Sequence, residues 1–364
     1  MRVVFAPDKF AGTLTARDAA SAMATGWARR APDDELVQVP MSDGGPGFID
    51  VLHLALGGEL HSLTVTGPYG ASIPATILRV GDTAYVESAQ AVGLHLTEPE
   101  RRDPERATTK GLGEVLAQAV ATGAARVVVG LGGSATNDAG AGLLAALGAT
   151  SEGGPLDRGP AGLAALTSVE LSAAQALFRD LELVLASDVN NPLLGINGAT
   201  KVYGPQKGLP EERLVTVDAW LQRFAEVTDR KLAAAKGSGA AGGLGFALRL
   251  LGGTSRSGVS LVAEAVGLPE VVRGADLVVT GEGAFDFSSR SGKVPYGVAE
   301  VAAQHLVPCI ALAGQVLVGS REMRALGVES AYSLVELVGE KRALGVPAEA
   351  LAELATRTAR TWSR

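Results

Sequence analysis

Residues 130–142 read GLGGSATNDAGAG, a glycine-rich segment that separates a predicted strand from a predicted helix. Residues 125–129 before it are apolar and mostly β-branched, which favours a buried strand. Residues 143–147 after it are apolar and stop at a glycine, as expected of a short helix. A strand, a tight glycine turn and a helix form the repeating unit of parallel sheets, so this segment predicts an α/β fold.

The same loop carries the groups that an anion site needs. Gly132 and Gly133 can take positive φ angles and let backbone N–H groups approach a ligand closely. Ser134, Asn137 and Asp138 add hydrogen-bonding oxygens and a carboxylate. The N-terminus of the next helix offers unpaired N–H groups and a partial positive charge. An ordinary turn capped by Ser or Asn would use the same residues, so the loop alone leaves both interpretations open.

Composition restricts the kinds of partner. The chain has 364 residues, enough for two domains, and 47 of them are glycines without a collagen-like repeat. The net charge of -7 argues against nucleic acid or an anionic membrane as the main partner. The single cysteine, Cys309, excludes an internal disulfide, and neither a signal peptide nor a membrane-spanning run is visible. We therefore expect a cytoplasmic protein that binds small molecules, and the oligomeric state is not predicted.

Loops of the same design recur after other predicted strands. Each combines an apolar strand with Asp, Glu, Ser or Gly directly after it. They are Asp8 and Lys9 after strand 3–6; Ser42, Asp43, Gly44 and Gly45 after strand 36–40; Asp188 and Asn190 after strand 181–186; and Gly281, Glu282, Gly283 and Asp286 after strand 276–280. Because the carboxyl ends of parallel strands meet at one edge of a sheet, we expect these loops to share a cleft. An Asx turn would explain Asn190 equally well.

Residues 59–88 have a different character from the rest of the chain. Segments 60–65, 73–80 and 83–87 alternate apolar and polar residues, and short Gly-containing turns separate them. This pattern predicts an antiparallel meander, so we expect a change of domain near residue 60.

Other catalytic chemistries find no support in the sequence. The four histidines lack the spacing of a transition-metal site, and Cys309 lies in an apolar run with no base nearby. A Gly-X-Ser-X-Gly elbow and a P-loop are both absent, and residues 237–242 (GSGAAG) do not follow a strand as a dinucleotide site requires. Carboxylates, glycine loops and the cations Lys9, Lys207 and Lys293 fit phosphoryl transfer. In that chemistry carboxylates hold Mg²⁺ or orient a hydroxyl, and lysine neutralises phosphate.

Several motifs are longer and more specific than these single loops. They are residues 7–10 (PDKF), 42–45 (SDGG), 132–138 (GGSATND), 188–193 (DVNNPL), 204–208 (GPQKG), 239–243 (GAAGG) and 281–283 (GEG). In sequence and in order they resemble the type I glycerate kinases over almost the whole chain. The resemblance implies an ATP-dependent kinase that phosphorylates D-glycerate with Mg²⁺, usually giving 2-phosphoglycerate. It also implies a Rossmann-like domain built from residues 1–60 and 270–364, an inserted α/β domain of residues 61–269, and an active site between them.

The kinase interpretation assigns a role to each strand-end group. Asp188 would align the acceptor hydroxyl and accept its proton late, and Lys9 would neutralise the charge on the transferred phosphate. Asp8, Asp43 and Glu282 compete as Mg²⁺ ligands, and the sequence does not rank them. The other candidate residues of the nucleotide and substrate sites are Ser42, Gly44, Gly45, Gly132, Gly133, Ser134, Asn137, Asp138, Asn190, Lys207, Gly242, Gly243, Gly281, Gly283, Asp286 and Lys293.

Three positions depart from the family pattern. Ala11 stands where a lysine is usual, Pro46 where a glutamate is usual, and Ser288 where a glutamine is usual. If those side chains contact a substrate, the chain would be a kinase of another small hydroxy acid. A sensor that binds a sugar acid and a nucleotide without catalysis is the alternative from a different functional class.

Overall fold

The computed structural model describes residues 1–10, 12–286 and 292–363. Ala11 and Ser288, two of the departures from the family pattern, lie outside the described residues. The chain forms two compact units. The first comprises Met1–Asp43, Asp50–Leu56 and Val259–Arg364, and the second comprises Gly44–Ile49 and Gly57–Gly258. The division into domains that the resemblance implies stays a prediction.

Strands and helices alternate along most of the chain. The strands are β1 (Arg2–Phe5), β2 (Glu35–Gln38), β3 (Glu59–Thr66), β4 (Ser72–Val80), β5 (Thr83–Glu87), β6 (Arg126–Gly130), β7 (Thr150–Glu152), β8 (Ser168–Glu170), β9 (Glu182–Ala186), β10 (Thr254–Arg256), β11 (Leu277–Thr280), β12 (Ala284–Phe285), β13 (Cys309–Ala313), β14 (Gln315–Val316) and β15 (Ser330–Ser333). The helices are α1 (Ala16–Ala28), α2 (Phe48–Leu56), α3 (Ser88–Val92), α4 (Lys110–Ala121), α5 (Ala141–Ala146), α6 (Ser172–Ala176), α7 (Ala199–Tyr203), α8 (Leu214–Val227), α9 (Arg230–Ala233), α10 (Ala240–Leu250), α11 (Gly258–Ala265), α12 (Leu268–Val272), α13 (Val294–Gln304), α14 (Ser320–Ala325), α15 (Leu334–Val338), α16 (Glu340–Gly345) and α17 (Pro347–Trp362). Among the described helices, none has both the length and the apolar content that crossing a bilayer requires.

The first unit contains a five-stranded parallel sheet in the order β15-β13-β11-β1-β2. Its central strands are mostly apolar, and every residue of β11 and β13 is buried. Parallel strands need such runs because helices cover both faces of the sheet. The sheet therefore presents its polar groups at the ends of the strands rather than on its faces.

Helices α1 and α17 pack against each other in the core of the first unit. Gly26 allows this close approach, because a Cβ atom there would lie 2.0 Å from the carbonyl oxygen of Ala352. Trp27 is fully buried and meets Phe5 of β1 edge to face, with the ring centroids 5.7 Å apart. Truncating such a buried aromatic side chain to alanine typically costs about 3–5 kcal/mol of stability, so this contact is a main support of the sheet.

The second unit contains a six-stranded mixed sheet in the order β10-β9-β6-β5-β4-β3. The pairs β10–β9, β9–β6 and β6–β5 are parallel, whereas β4 runs antiparallel to both of its neighbours, β5 and β3. The predicted meander is thereby confirmed, with strand limits within one residue of the predicted ones at most ends. The α/β fold class is confirmed as well, since helices such as α4 and α10 pack on strands of this sheet.

Candidate active site

Residues that follow three parallel strands of the first unit form one polar cluster. The N–H of Asp8, beyond β1, donates to the carbonyl of Gly281 at the end of β11, 2.8 Å away. The N–H of Met41, beyond β2, donates to the carbonyl of Pro7 over 2.9 Å. These hydrogen bonds hold the three strand ends together, so the side chains beyond them gather at the carboxyl edge, where α/β sheets bind ligands. We call the resulting set the carboxylate–lysine cluster: Asp8, Lys9, Asp43, Glu282, Asp286 and Lys293.

Lys9 lies between two carboxylates of this cluster. Its Nζ is 3.4 Å from Oδ1 of Asp8 and 3.6 Å from Oδ1 of Asp43. The Asp8 side chain also accepts a hydrogen bond from the N–H of Lys9 at 2.7 Å. Burial raises the pKa of Asp8 to about 7; the charge of Lys9 opposes this shift, and the negative charges of Asp43 and Glu282 add to it. Ser42, which precedes Asp43 in the loop after β2, is buried.

Lys293 forms the second cationic point of the cluster. Its Nζ is 3.5 Å from Oε2 of Glu282 and 3.5 Å from Oδ1 of Asp286. The Glu282 side chain is almost fully buried, whereas that of Asp286 is about one-third exposed. Each lysine of the cluster therefore pairs with one buried and one more accessible carboxylate.

Gly281 and Gly283 set the position of the Glu282 backbone. A Cβ atom on Gly281 would lie 2.1 Å from the carbonyl oxygen of Leu312, so no larger residue fits there. The carbonyl of Gly283 accepts a hydrogen bond from the N–H of Gln315 at 3.0 Å. These two glycines act through the backbone, by letting the loop pack closely against the end of the neighbouring strand β13.

The carboxylates of this cluster have the donor chemistry that Mg²⁺ prefers. Within the described ranges, no group of three or more His, Cys, Asp or Glu is arranged to hold a metal ion by itself. Mg²⁺ in kinases is commonly held by one or two carboxylates together with phosphate oxygens, so a complete protein cage is not required. Burial is the main cause of the raised pKa of Asp8, and the negative charges of Asp43 and Glu282 add to it; a divalent cation would offset those charges. Asp43 and Glu282 therefore fit the role of partial Mg²⁺ ligands.

The second unit contains a buried ammonium group. Lys207 ends a short 3₁₀ turn (Pro205–Lys207), and only 2% of its surface is exposed. Its Nζ donates to Oγ of Ser134 at 2.8 Å and to the carbonyl of Thr136 at 2.5 Å. Burial lowers the pKa of Lys207 to about 7, although the negative charge of Asp138 opposes this shift. The nearest partners of this cation are thus uncharged oxygens.

Asp138 stabilises the loop before α5, because both of its carboxylate oxygens accept hydrogen bonds from the protein. Its carboxylate accepts hydrogen bonds from the N–H and the hydroxyl of Thr109, both at 2.9 Å. It also accepts from the N–H groups of Gly140 and Gly142, at 3.0 and 3.2 Å. Burial raises the pKa of Asp138 despite these bonds. The expectation that the N-terminus of α5 would bind a ligand anion is therefore corrected, because Asp138 already caps it.

Two buried polar atoms of the same loop have no hydrogen-bond partner among the described residues: Oγ1 of Thr136 and Oδ1 of Asn137. The other end of the Asn137 amide donates to Oγ1 of Thr200 at 2.9 Å, which fixes the side chain. Unpaired buried oxygens cost stability unless a ligand or water satisfies them. We call this set the ammonium cradle: Lys207, Ser134, Thr136, Asn137 and Gly242.

Gly242 belongs to the cradle because nothing larger fits beside Lys207. A Cβ atom on Gly242 would lie 1.9 Å from the carbonyl oxygen of Thr136 and 2.9 Å from Nζ of Lys207. Gly242 and Gly243 also have φ angles of 74° and 94°, which favour glycine. A Cβ atom on Gly243 would approach Cα of Ala139 to 2.4 Å. The motif at residues 239–243 is thus a close backbone contact rather than a regular helix start.

Gly132 and Gly45 bring two loops of the second unit into close backbone contact. Gly133 has a φ of 61°, as expected, but Gly132 does not have a positive φ. Gly132 is needed for a different reason, since its Cβ would lie 2.7 Å from Cα of Gly45. Gly44 has a φ of 94°. Pro46, a departure from the family pattern, packs closely against Gly133. A Cβ atom on Gly133 would lie 2.9 Å from Cγ of Pro46.

Glu87 is a buried carboxylate that the sequence reasoning missed. Its Oε2 accepts from the N–H groups of Gly47 and Ile49, both at 3.2 Å, and so holds the loop that contains Gly44 and Gly45. It ends strand β5, so the rule that singled out Asp8 and Asp188 could have found it. Thr109 and Thr200 were missed as well, and no sequence signal distinguishes them from other threonines.

The loop after β9 separates the predicted residues by environment. Asp188 is half-buried and Asn190 is exposed. Asn191 builds the loop, since its amide oxygen accepts from the Tyr203 hydroxyl and its amide nitrogen donates to the carbonyl of Asn197, both at 2.8 Å. The structure therefore leaves Asp188 and Asn190 as the candidates for ligand contact in this loop.

Similarity to known proteins agrees with this arrangement of loops. The sequence profile of the glycerate kinase family matches residues 3–363. The chain belongs to the glycerate kinase family. It is 38% identical over 349 residues to the glycerate 2-kinase of Escherichia coli (strain K12), covering 93% of this chain and 92% of the relative. It is also 38% identical over 345 residues to the glycerate kinase of Bacillus subtilis (strain 168), covering 92% and 90% of the two chains.

The fold of this chain is also similar to that of a solved structure. A solved structure assigned to glycerate kinase 2 from Salmonella typhimurium LT2 superimposes with a TM-score of 0.80 at 36% identity. The match covers 99% of this chain and 98% of the other. The predicted family and enzyme class, a glycerate kinase, are thereby confirmed, and membership in a kinase family implies the use of ATP.

Proposed function

We propose that this chain transfers the γ-phosphoryl group of ATP, with Mg²⁺, to D-glycerate and releases 2-phosphoglycerate. The observation that carries the proposal is the ammonium cradle, in which a cation of lowered pKa donates to two neutral acceptors, and two further buried oxygens of the same loop are unpaired among the described residues. A carboxylate entering this cradle would supply the opposite charge that Lys207 lacks among its nearest partners. The exchange of a poorly solvated cation for an ion pair favours binding of an anionic substrate.

The cradle supplies the substrate contacts in this proposal. Lys207 binds the carboxylate of glycerate and the Ser134 hydroxyl donates to it, whereas Oδ1 of Asn137 accepts a hydrogen bond from a glycerate hydroxyl. Asp138 takes a positioning role rather than the ligand contact predicted for it, because its carboxylate already accepts four hydrogen bonds from the protein. Gly242 lets its backbone pack against the carbonyl of Thr136 without displacing Nζ of Lys207.

The carboxylate–lysine cluster supplies the nucleotide contacts. Lys9 and Lys293 neutralise charge on the phosphate oxygens, and Asp43 and Glu282 hold Mg²⁺. When bound, Mg²⁺ would offset the negative charge that develops on the phosphate during transfer. The Asp8 carboxylate holds Lys9 in place, because it accepts a hydrogen bond from the backbone N–H of Lys9 and forms an ion pair with its ammonium group. The loop glycines Gly281 and Gly283 allow this edge of the sheet to approach a ligand.

Asp188 acts on the acceptor hydroxyl in this proposal. Phosphoryl transfer has a loose transition state, so the hydroxyl needs alignment first and loses its proton late. A half-buried carboxylate directly after a buried strand is suited to both steps. Asn190, an exposed residue of the same loop, would hydrogen-bond the substrate.

The direct test is identification of the product by NMR after incubation with ATP, Mg²⁺ and D-glycerate. We expect 2-phosphoglycerate and ADP in equal amounts. Formation of 3-phosphoglycerate would contradict the assigned acceptor hydroxyl. A panel of small hydroxy acids in a coupled ADP assay tests the alternative substrate, and thermal stabilisation without ADP release would indicate the non-catalytic sensor.

The cellular setting follows from chemistry rather than from a targeting signal. We propose that the protein works in a reducing cytoplasm, as the lone Cys309 suggests. Cys309 is buried, and burial raises its pKa to about 12, so the thiol stays protonated and inert.

A further inference from the structure

A cavity of about 1030 Å³ lies in the second unit, outside the ammonium cradle. Its wall is made by residues of segments 66–70, 101–110 and 153–165. Charged side chains of both signs line it, and we call it the basic pocket: Arg101, Arg106, Lys110 and Arg158, with Asp103 and Asp157. The third segment carried no functional signal in the sequence.

The cations of the basic pocket are incompletely neutralised. Within the part of the chain that the structure describes, neither Arg101 nor Arg106 has an ion-pair partner. Lys110 and Arg158 share one acid, Asp157, with distances of 3.6 and 3.9 Å. Both pairs are partly exposed, so they can exchange Asp157 for a ligand anion at little cost.

The second acid of the pocket does not neutralise the arginines either. Oδ1 of Asp103 accepts a hydrogen bond from the N–H of Glu105 at 3.2 Å, which is a local turn contact. Four cations therefore face two acids, although the chain as a whole carries a net charge of -7. A local excess of positive charge on an acidic protein indicates selection for an anionic ligand rather than a general surface property.

The geometry points to a phosphate-bearing small molecule as the ligand of the basic pocket. Guanidinium groups bind phosphate oxygens with two parallel hydrogen bonds, and the pocket has three arginines. The first turn of α4, which begins at Lys110, lies at the same wall and adds the favourable end of a helix dipole. The volume is at the upper end of small-molecule sites, so a nucleotide or a phosphorylated organic acid fits.

The basic pocket and the ammonium cradle use different side chains of one segment. Thr108 and Lys110 line the pocket. Thr109, between them, donates from its N–H and its hydroxyl to Asp138 and so supports the cradle. Substitutions in the pocket arginines therefore leave the contacts of Lys207 unchanged, and the two sites can be tested separately.

The test measures pyrophosphate binding by isothermal titration calorimetry on the full-length chain. We compare the wild type with the Arg101→Ala/Arg106→Ala variant, the Lys207→Met variant, and an Arg179→Ala/Arg223→Ala control that removes the same charge from exposed positions elsewhere in the second unit. We expect a saturable site whose Kd rises at least about tenfold in the pocket variant and less than about twofold in the other two. Circular dichroism and thermal melting check that each variant is folded.

Two results would overturn the inference: unchanged pyrophosphate binding in the pocket variant, or an equal loss in the exposed-arginine control. Parallel titrations with ADP and with 3-phosphoglycerate distinguish the source of the phosphate, because only the natural class should bind more tightly than pyrophosphate and lose that gain in the pocket variant. Binding is read without turnover, so this result does not depend on whether D-glycerate is the substrate.

Discussion

In the carboxylate–lysine cluster of the first unit each lysine pairs with two carboxylates, whereas in the ammonium cradle of the second unit one lysine is bound by uncharged oxygens. Both sets lie on loops with flanking glycines near strand ends or helix starts. The first set has an excess of negative charge and fits a divalent cation with phosphates. The second has a buried cation and fits a single anion.

This difference shows that one loop design can produce opposite electrostatic sites. The pKa of Asp8 is raised to about 7 by burial and by neighbouring carboxylates, so additional positive charge stabilises its ionised form. The pKa of Lys207 is lowered to about 7 by burial, so additional negative charge stabilises its protonated form. Each group thus requires a ligand of the opposite sign to become fully charged.

The largest effect should come from Lys207→Met, which removes the only charge of the cradle and retains its apolar stem. We expect kcat/KM for D-glycerate to fall at least ~10³-fold, because the substrate carboxylate loses its counter-ion. Steady-state kinetics measure this. The exposed Lys231→Met variant on α9 is the matched control and should stay within about twofold of the wild type. A kcat/KM within tenfold of the wild type would remove Lys207 from the substrate site.

Lys9→Met tests whether the carboxylate–lysine cluster binds the nucleotide. We expect a loss of roughly 10²-fold in kcat/KM for ATP, since charge on the transferred phosphate is left uncompensated. The KM for D-glycerate should change little, because the cradle is intact. Variation of each substrate at a saturating level of the other separates the two parameters. A rise confined to the KM for D-glycerate would reverse the roles assigned to the two sets.

Asp188→Asn retains the size of the side chain and one acceptor oxygen but removes the proton acceptor. We expect kcat to fall by about 10²-fold or more with both KM values near those of the wild type. The thermal melting temperature should be unchanged, because the residue is only half-buried. Wild-type turnover in this variant would exclude Asp188 from the chemical step.

The sequence was sufficient to predict the groups that chain topology alone brings together. The ends of β1, β2 and β11 must lie at one edge of a parallel sheet, so Asp8, Asp43 and Glu282 could be placed near each other before the structure was known. The meander could be predicted because alternation of apolar and polar residues is a local signal. Membership in the family then followed from motifs in a fixed order.

Groups that depend on tertiary packing could not be predicted in the same way. Burial of Lys207 results from its contact with a loop 71 residues earlier in the chain. The hydrogen bonds from Thr109 to Asp138 are likewise long-range. They occupy the Asp138 carboxylate, which the sequence had suggested as a ligand contact. The need for glycine at position 132 is also a matter of packing, since close contact with Gly45 rather than a positive φ requires it. The basic pocket joins three distant segments and left no periodic signal.

The affinity for D-glycerate should depend on pH if the substrate binds at the ammonium cradle. Only protonated Lys207 attracts an anion, and its pKa in the free protein is about 7. The affinity for D-glycerate should therefore fall about tenfold per pH unit above pH 7. Calorimetry with D-glycerate alone between pH 6 and 9 measures it. A constant affinity over this range would show that the cation is not the binding group.

The same pKa predicts a smaller effect on folding without ligand. The unfolded chain keeps Lys207 protonated up to the ordinary pKa of 10.5, whereas the folded chain releases the proton near 7. The unfolded state thus binds more protons between these values, so this residue's contribution to the free energy of unfolding rises with pH across that window. Urea unfolding of the wild type and Lys207→Met at pH 7 and 9 isolates the contribution. A pH-independent difference would contradict the shifted pKa.

The smallest effect is expected from Glu87→Gln, which weakens the support of the loop that Glu87 holds through Gly47 and Ile49. Its Oε2 accepts two backbone N–H bonds at 3.2 Å, and a neutral amide oxygen is a weaker acceptor than a carboxylate. We expect about 1–2 kcal/mol of lost stability, measured by urea unfolding, and a change in kcat below about tenfold. A loss of activity as large as that of Lys207→Met, in a folded variant, would show that Glu87 contacts substrate. The boundary between supporting and binding residues would then have to include the end of β5.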